Sequence, residues 1–240
     1  KECFLLPCVG DIILAGAMPM QSFNVLNYRA SLPAGKPEYL LIKRVFDILI
    51  SVCMLTILSP IMFLCALIIH ISDGGPVLYR QRRLTIRGRV FCLYKFRSMR
   101  TDAEADGVAR LSVENDERIT RVGRWLRSTR FDELPQLFNV IKGDMSIVGP
   151  RPERPEIAER YQKEIPNFKL RLNVKAGLTG YAQVYGKYST DPYSKLCMDL
   201  FYICHQSPIL DLKLICCTLG IPFFRERANG IEQRQEKPHV

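Results

Sequence analysis

One uninterrupted run dominates the hydrophobic pattern of the chain. Ile48 to Ile69 is 22 residues long and carries no charge. As an α-helix, at ~1.5 Å per residue, it would reach roughly 33 Å, the thickness of a bilayer's hydrocarbon. A core helix of a globular domain is the alternative reading. The flanks are basic on both sides, with Lys43 and Arg44 before the run and Arg80, Arg82, Arg83, Arg87 and Arg89 after it. Positive charge at both ends argues that both stay cytoplasmic. Ser59-Pro60 lies near the middle, where proline removes a backbone hydrogen bond and a serine hydroxyl can satisfy the carbonyl left over. The expected element over residues 41–73 is a re-entrant hairpin that dips into one leaflet and returns. A straight span is the second reading.

Outside this run the pattern breaks into shorter segments. Residues 90–96 are aromatic enough for a strand. Arginine recurs every third residue at Arg118, Arg121, Arg124, Arg127 and Arg130. On a helix this spacing spreads charge over a broad face, with Trp125 and Leu126 on the apolar side. Residues 134–142 read as helical. Pro135 is tolerated only in the first turn, so that helix should begin near Asp132. Further helices are expected over 156–164 and 191–205. Gly177 and Gly180, in a turn-rich stretch, permit positive φ or close backbone approach. Residues 207–224 are apolar but broken by Gly220 and Pro222, better suited to lie in a membrane interface than to cross it.

The pattern divides the chain into four parts. Residues 1–40, with a short strand expected at 11–15 and linker chemistry at 31–37, read as the tail of an upstream domain. Residues 41–73 form the membrane element, 74–225 a cytoplasmic domain, and 226–240 a polar tail. The expected fold class is α/β, mostly helical, with the re-entrant hairpin and interfacial amphipathic helices.

The net charge of +10 points to an anionic partner: nucleic acid, anionic lipid or a phosphorylated substrate. A nucleic-acid module fits the charge and interleaved aromatics, but the uncharged run argues against it. From residue 74 to 101 there are eight basic residues and no acidic one, a face for lipid headgroups, phosphate or both. Nine cysteines without a C-x-x-C pair, and three histidines, make a zinc site unexpected and fit reduced thiols rather than a disulfide framework.

The candidate chemistry sits at Asp132-Glu133, directly after the arginines. As first-turn acids they could simply complement a helix dipole. The chemical reading is sharper. Arginines should keep Asp132 ionised, an ionised carboxylate can act as a nucleophile on phosphorus, and Glu133 offers hard oxygen to Mg²⁺. The arginines suit a bidentate grip on phosphate. Together these are the parts that phosphoryl transfer needs.

These residues, with others, resemble a known family. Lys43-Arg-x-x-Asp47, Ser59-Pro60, Lys95-Phe-Arg-Ser-Met99, Arg118-Ile-Thr-Arg-Val-Gly-Arg124, Asp132-Glu-Leu-Pro-Gln136, Gly143 to Pro152 and Gly177 to Gln183 are similar in kind and order to the bacterial sugar transferases, monotopic polyprenyl-phosphate phosphoglycosyl transferases. The resemblance covers about three-quarters of the chain, from residue 43 to about 224. It implies an enzyme on the cytoplasmic face of the inner membrane. Such an enzyme moves a sugar-1-phosphate from a UDP-sugar to undecaprenyl phosphate, releases UMP, and begins exopolysaccharide, capsule or O-antigen assembly. Asp132 would be the nucleophile, forming a covalent phosphosugar. Glu133 would help hold Mg²⁺, and Arg127, Arg151 and Lys95 would contact substrate phosphate. Ser59 and Pro60 match the bend of the membrane helix. Membrane lipid is the implied partner, with no nucleic acid, and a homo-oligomer is compatible. Residues 1–40 resemble the tail of the extra domain that large members carry. Glu117, where the family commonly has proline, departs from the pattern, as do Cys204-His205 and Cys216-Cys217. A catalytically silent membrane scaffold of a polysaccharide assembly complex is the rival reading.

Overall fold

The computed structural model describes residues 37–103, 116–165, 167–186 and 190–218. The expectations for residues 1–36, for 219–240 and for most of the acidic stretch 101–117 lie outside the described residues. Helix α1 spans Pro37–Asp73. It is one continuous element with Pro60 inside, where two arms meeting at Ser59-Pro60 were expected. The hydrogen bond that Pro60 cannot donate would have gone to the carbonyl of Thr56, four residues back. The Ser59 hydroxyl donates to that carbonyl instead, at 2.9 Å.

The core-helix alternative for α1 fails on exposure. Leu41, Leu49, Ile57, Phe63 and Ile71 each expose well over half of their surface. Only one stripe docks. Asp47 and Ser51 are buried near one end, and Cys65 and Ile69 near the other. The helix is long and apolar enough to cross a membrane.

After α1 come two antiparallel strands, β1 (Leu78–Leu84) and β2 (Val90–Phe96), paired from Leu78–Phe96 to Leu84–Val90. Helix α2 covers Arg121–Ser128, capped by the Thr120 side chain, which accepts from Gly123 N. A 3₁₀ turn at Phe131–Glu133 precedes helix α3, Gln136–Lys142, with Pro135 at its cap. Strand β3 (Met145–Val148) is wholly buried and pairs in parallel with β4 (Ala176–Thr179). Helices α4 (Pro155–Glu164), α5 (Tyr181–Tyr185), α6 (Pro192–Cys204) and α7 (208–218) complete the described chain.

Two apolar clusters hold these elements. The larger joins Leu93, Leu137, Val140, Met145, Val148, Leu196, Leu200 and Leu214, with Ile50, Met54 and Leu55 of α1 against it. The smaller joins Cys65 and Ile69 of α1 to Phe96 and Leu126. Polar contacts fix the register of α1. Arg44 donates to the carbonyls of Val140 and Ile141 at 2.6 and 2.7 Å, satisfying the C-terminus of α3. Asp47 accepts from Ile147 N at 2.9 Å. Asp211 on α7 accepts from Tyr39 and Lys43 of α1 and from Tyr202 of α6.

Both glycines singled out for backbone freedom act through close approach, not positive φ. A Cβ on Gly177 would lie 2.1 Å from Gly149 N, and one on Gly180 would lie 2.1 Å from Gly149 O. The backbone of β4 is thereby pressed against the loop that follows β3. The cysteines among the described residues are free thiols.

Candidate active site

The site is built where β2, the 3₁₀ turn and the loop after β3 converge. The sequence expected a helix starting near Asp132. The carboxylates instead occupy the tight turn ahead of it, entered through Arg130 at φ 59°, a left-handed conformation. This sharp entry turns Asp132 inward, and it is 8% exposed. Asn139 secures the turn's other side, accepting from Tyr94 N at 3.0 Å and donating to Cys92 O at 2.7 Å, which ties α3 to β2.

Glu133 meets two cations on one oxygen. Arg151 Nη2 lies 2.8 Å and Lys95 Nζ 3.4 Å from Oε1. Arg127 is held by Ser98, its Nε donating to Ser98 Oγ at 2.9 Å, and its charge acts on Asp132. Five candidates thus come together: Lys95, Arg127, Asp132, Glu133 and Arg151. Ser59 and Pro60 lie in α1, apart from this group. Of the other arginines in the ladder, Arg118 pairs with Asp116 at 2.6 Å, Arg121 and Arg124 are exposed, and Arg130 acts electrostatically on Glu133.

The electrostatics correct one expectation. Asp132 is not held below the usual carboxylate range by its arginines. Burial first, and the Glu133 charge second, push it up to about 6 against the pull of Lys95, Arg127 and Arg151. It remains ionised roughly ten to one at pH 7. Burial would also raise Glu133, but Arg151 and Lys95 together outweigh it and hold Glu133 well below the ordinary range. Burial pulls Lys95 down, with Glu133 opposing. The pair is therefore split, with one carboxylate firmly ionised and paired, the other poised.

Behind Arg151 is a network that spacing alone did not reveal. Arg171 Nη2 donates to the Arg151 carbonyl at 3.0 Å and lies 2.7 Å from Asp199 Oδ2. Its Nη1 is 3.4 Å from Glu153 Oε1, and its guanidinium stacks over Phe168. Arg83 Nη1 donates to Pro152 O at 3.0 Å. Burial, with Arg151 beside it, brings Arg83 down to about 10. The backbone of Pro150-Arg151-Pro152 is held further by Gly177 N, which donates to Pro150 O. The sequence signal was partial: Asp199 falls inside the otherwise apolar run Leu196–Ile203, where a buried charge requires a partner, but nothing there points to Arg171.

Two carboxylates and three cations thus form one compact charged centre, in a domain whose long, exposed apolar helix suits membrane association. The chain matches the family model for bacterial sugar transferases over residues 38–225. It is 41% identical over 186 residues to the UDP-N-acetylgalactosamine-undecaprenyl-phosphate N-acetylgalactosaminephosphotransferase of Aeromonas hydrophila, covering 76% of this chain and 44% of that one. It is 40% identical over 223 residues to the UDP-glucose:undecaprenyl-phosphate glucose-1-phosphate transferase of Escherichia coli, covering 86% and 48%. It is 41% identical over 191 residues to an exopolysaccharide production protein of Rhizobium leguminosarum, covering 75% and 94%. The chain belongs to the bacterial sugar transferase family. It spans less than half of the first two relatives' lengths and nearly all of the third.

Proposed function

We propose that this chain is the catalytic part of a phosphoglycosyl transferase that moves a sugar-1-phosphate from a UDP-sugar to undecaprenyl phosphate. The observation that carries this reading is the split carboxylate pair. Asp132 is buried, poised near 6 and ionised at neutral pH, beside a Glu133 already neutralised by Arg151 and Lys95. In the first step an Asp132 oxygen attacks the β-phosphorus, the bond to the α-phosphate bridging oxygen breaks, and UMP leaves with the electron pair. In the second step a phosphate oxygen of the acceptor attacks the same phosphorus, and the carboxylate leaves, restoring Asp132 and giving a polyprenyl diphosphosugar. Splitting one displacement into two is the gain of a covalent nucleophile.

Arg127 and Arg151 would bind and orient the diphosphate, and Lys95 would hold Glu133 in place. A Mg²⁺ fits the donor set: one Glu133 oxygen is occupied by the cations, and the other, with substrate phosphate oxygens, would hold the ion. Mg²⁺ is commonly held in this way, by one or two carboxylates plus phosphates. When bound, it would neutralise charge on the transferring phosphate.

The reading places the domain on the cytoplasmic face of the inner membrane and at the first step of a surface polysaccharide. Two features support the re-entrant form of α1. Both ends of its docked stripe, Asp47–Ser51 and Cys65–Ile69, pack on the same domain, and Ser59 and Pro60 sit in the exposed stretch between them. Trp125, Phe138, Ile209 and Leu212 are exposed apolar residues on α2, α3 and α7. Those three helices pack beside α1, as interfacial helices would.

The test is UMP release by the protein in nanodiscs with undecaprenyl phosphate, Mg²⁺ and a panel of UDP-sugars. Release with one sugar is expected, lost in Asp132→Asn and on chelation. Full turnover by the Asn variant would overturn the nucleophile, and lipid binding without UMP release from any sugar would favour a scaffold.

A further inference from the structure

An open groove of about 340 Å³ lies between α1 and α2, lined by Ile68, Arg121, Val122 and Trp125. We propose that it seats the isoprene units of the polyprenyl phosphate acceptor nearest the phosphate, guiding the chain from Asp132 into the bilayer. This rests on the transferase reading above.

Three observations converge on that occupant. The first is continuity with lipid. Ile68 belongs to the stretch of α1 that exposes Phe63, Leu64, Leu67 and Ile71, so the groove opens onto the face that α1 would present to acyl chains. The second is continuity with the nucleophile. Trp125 meets Phe131 edge to face, with ring centroids 5.7 Å apart, and Phe131 immediately precedes Asp132. Phe131, Trp125, Val122 and Ile68 thus form an apolar strip from the turn that carries Asp132 to the exposed face of α1. The third is fixed walls. Beneath the groove, Leu126 is fully buried against Cys65 and Ile69, so α1 and α2 hold their spacing.

The chemistry of the lining excludes the other substrate. A nucleotide sugar is polar and charged throughout, and would leave its hydrogen-bonding groups unmet on Ile68, Val122 and Trp125. The only cation there, Arg121, is exposed. Its aliphatic stem can line the rim while the guanidinium reaches lipid headgroups. The groove is open rather than enclosed, so it would cradle only the few isoprene units nearest the phosphate. The rest of the chain would remain in the bilayer.

Trp125 is the only tryptophan of the chain, so its emission reports on this groove alone. The experiment titrates undecaprenyl phosphate into nanodiscs holding the protein and follows tryptophan emission. Equal amounts of phosphatidylglycerol serve as the control. The expected result is a saturable blue shift with undecaprenyl phosphate and none with phosphatidylglycerol. Filling the groove by Val122→Phe should raise the half-saturating concentration at least tenfold. No saturable shift overturns the proposal, as does an equal shift with phosphatidylglycerol or an unmoved midpoint in the filled variant. UMP release without the emission response sinks the groove and keeps the transferase. The response without UMP release keeps the lipid site and sinks the transferase.

Discussion

Asp132 carries a charge that the fold does not favour, and this sets two measurable behaviours. Its folded pKa, about 6, is raised above the ordinary carboxylate value by burial and Glu133. Between about pH 4 and 6 the folded chain binds more protons at this group than the unfolded chain does, so stability falls as pH rises through that window. Asp132→Asn should therefore melt higher than the parent above pH 6, by on the order of 2–3 kcal/mol of stability, and the gap should close below pH 4. Thermal melts across pH check this. On the proposed mechanism the same variant should lose UMP release, and the parent's kcat/KM should fall as pH drops through the region of 6 and Asp132 is protonated. Glu133→Gln should behave in reverse. Glu133 is held low, so its stabilisation is present above the ordinary carboxylate pKa and lost as pH falls below it. The Gln variant should melt lower at neutral pH and converge with the parent in acid.

At the scale of elements, the loop after β3 is the part the site depends on, and Arg171 on a neighbouring 3₁₀ segment grips its carbonyl. Arg171→Met alone leaves the buried Asp199 without the guanidinium it pairs with, and should cost about 3–5 kcal/mol. Asp199→Leu alone should cost a comparable amount. The double variant replaces the pair with apolar groups and should recover much of that stability in urea melts. UMP release should stay depressed in the two variants that lack Arg171, because Arg151 has lost its backbone anchor. Recovery of activity along with stability in the double variant would show that the network serves the fold alone. Gly177→Ala should be costly for a different reason. Its Cβ would meet the Gly149 backbone at 2.1 Å, and backbone cannot rotate aside, so a loss of at least about 2 kcal/mol is expected. Elements with strong local signals were legible in the sequence. The 90–96 strand is observed at those bounds, α4 and α6 lie within a residue or so of expectation, and α6 starts at the Asp191 cap. The 3₁₀ turn at Phe131–Glu133 was not legible, since its left-handed entry falls on arginine rather than glycine. The Arg171 network was also hidden, because its partners lie 18 to 28 residues away in the sequence, with no periodicity to connect them.

At the scale of the whole molecule, the long apolar run, the basic flanks and the Asp132-Glu133 pair were plain in the sequence, because each depends on local composition. The docking of α1 was not. Lys43-Arg-x-x-Asp47 read as a flank and a family motif, yet Arg44 caps α3, Lys43 pairs with Asp211, and Asp47 holds β3. The re-entrant reading predicts that cysteines placed at Glu38 and Ser72, the two ends of α1, both react with an impermeant thiol reagent from the cytoplasmic side of inverted vesicles. In intact spheroplasts neither should react. A straight span would label one end on each side. Ser59→Ala should weaken the arrangement, since it removes the donor to the Thr56 carbonyl that Pro60 leaves unmet. A shift of either end toward periplasmic labelling would be its sign.

The bond between Asp47 and Ile147 joins residues 100 positions apart, and this has a consequence in time. At roughly 5–20 residues per second of synthesis, Asp47 and Arg44 emerge on the order of 5–20 seconds before the strand and helix end that they will hold. During that interval α1 has no domain to dock on, while its apolar surface already requires cover. Lipid is the cover at hand. The bilayer would then receive α1 first, and the catalytic domain would assemble afterwards on a helix whose depth is already set.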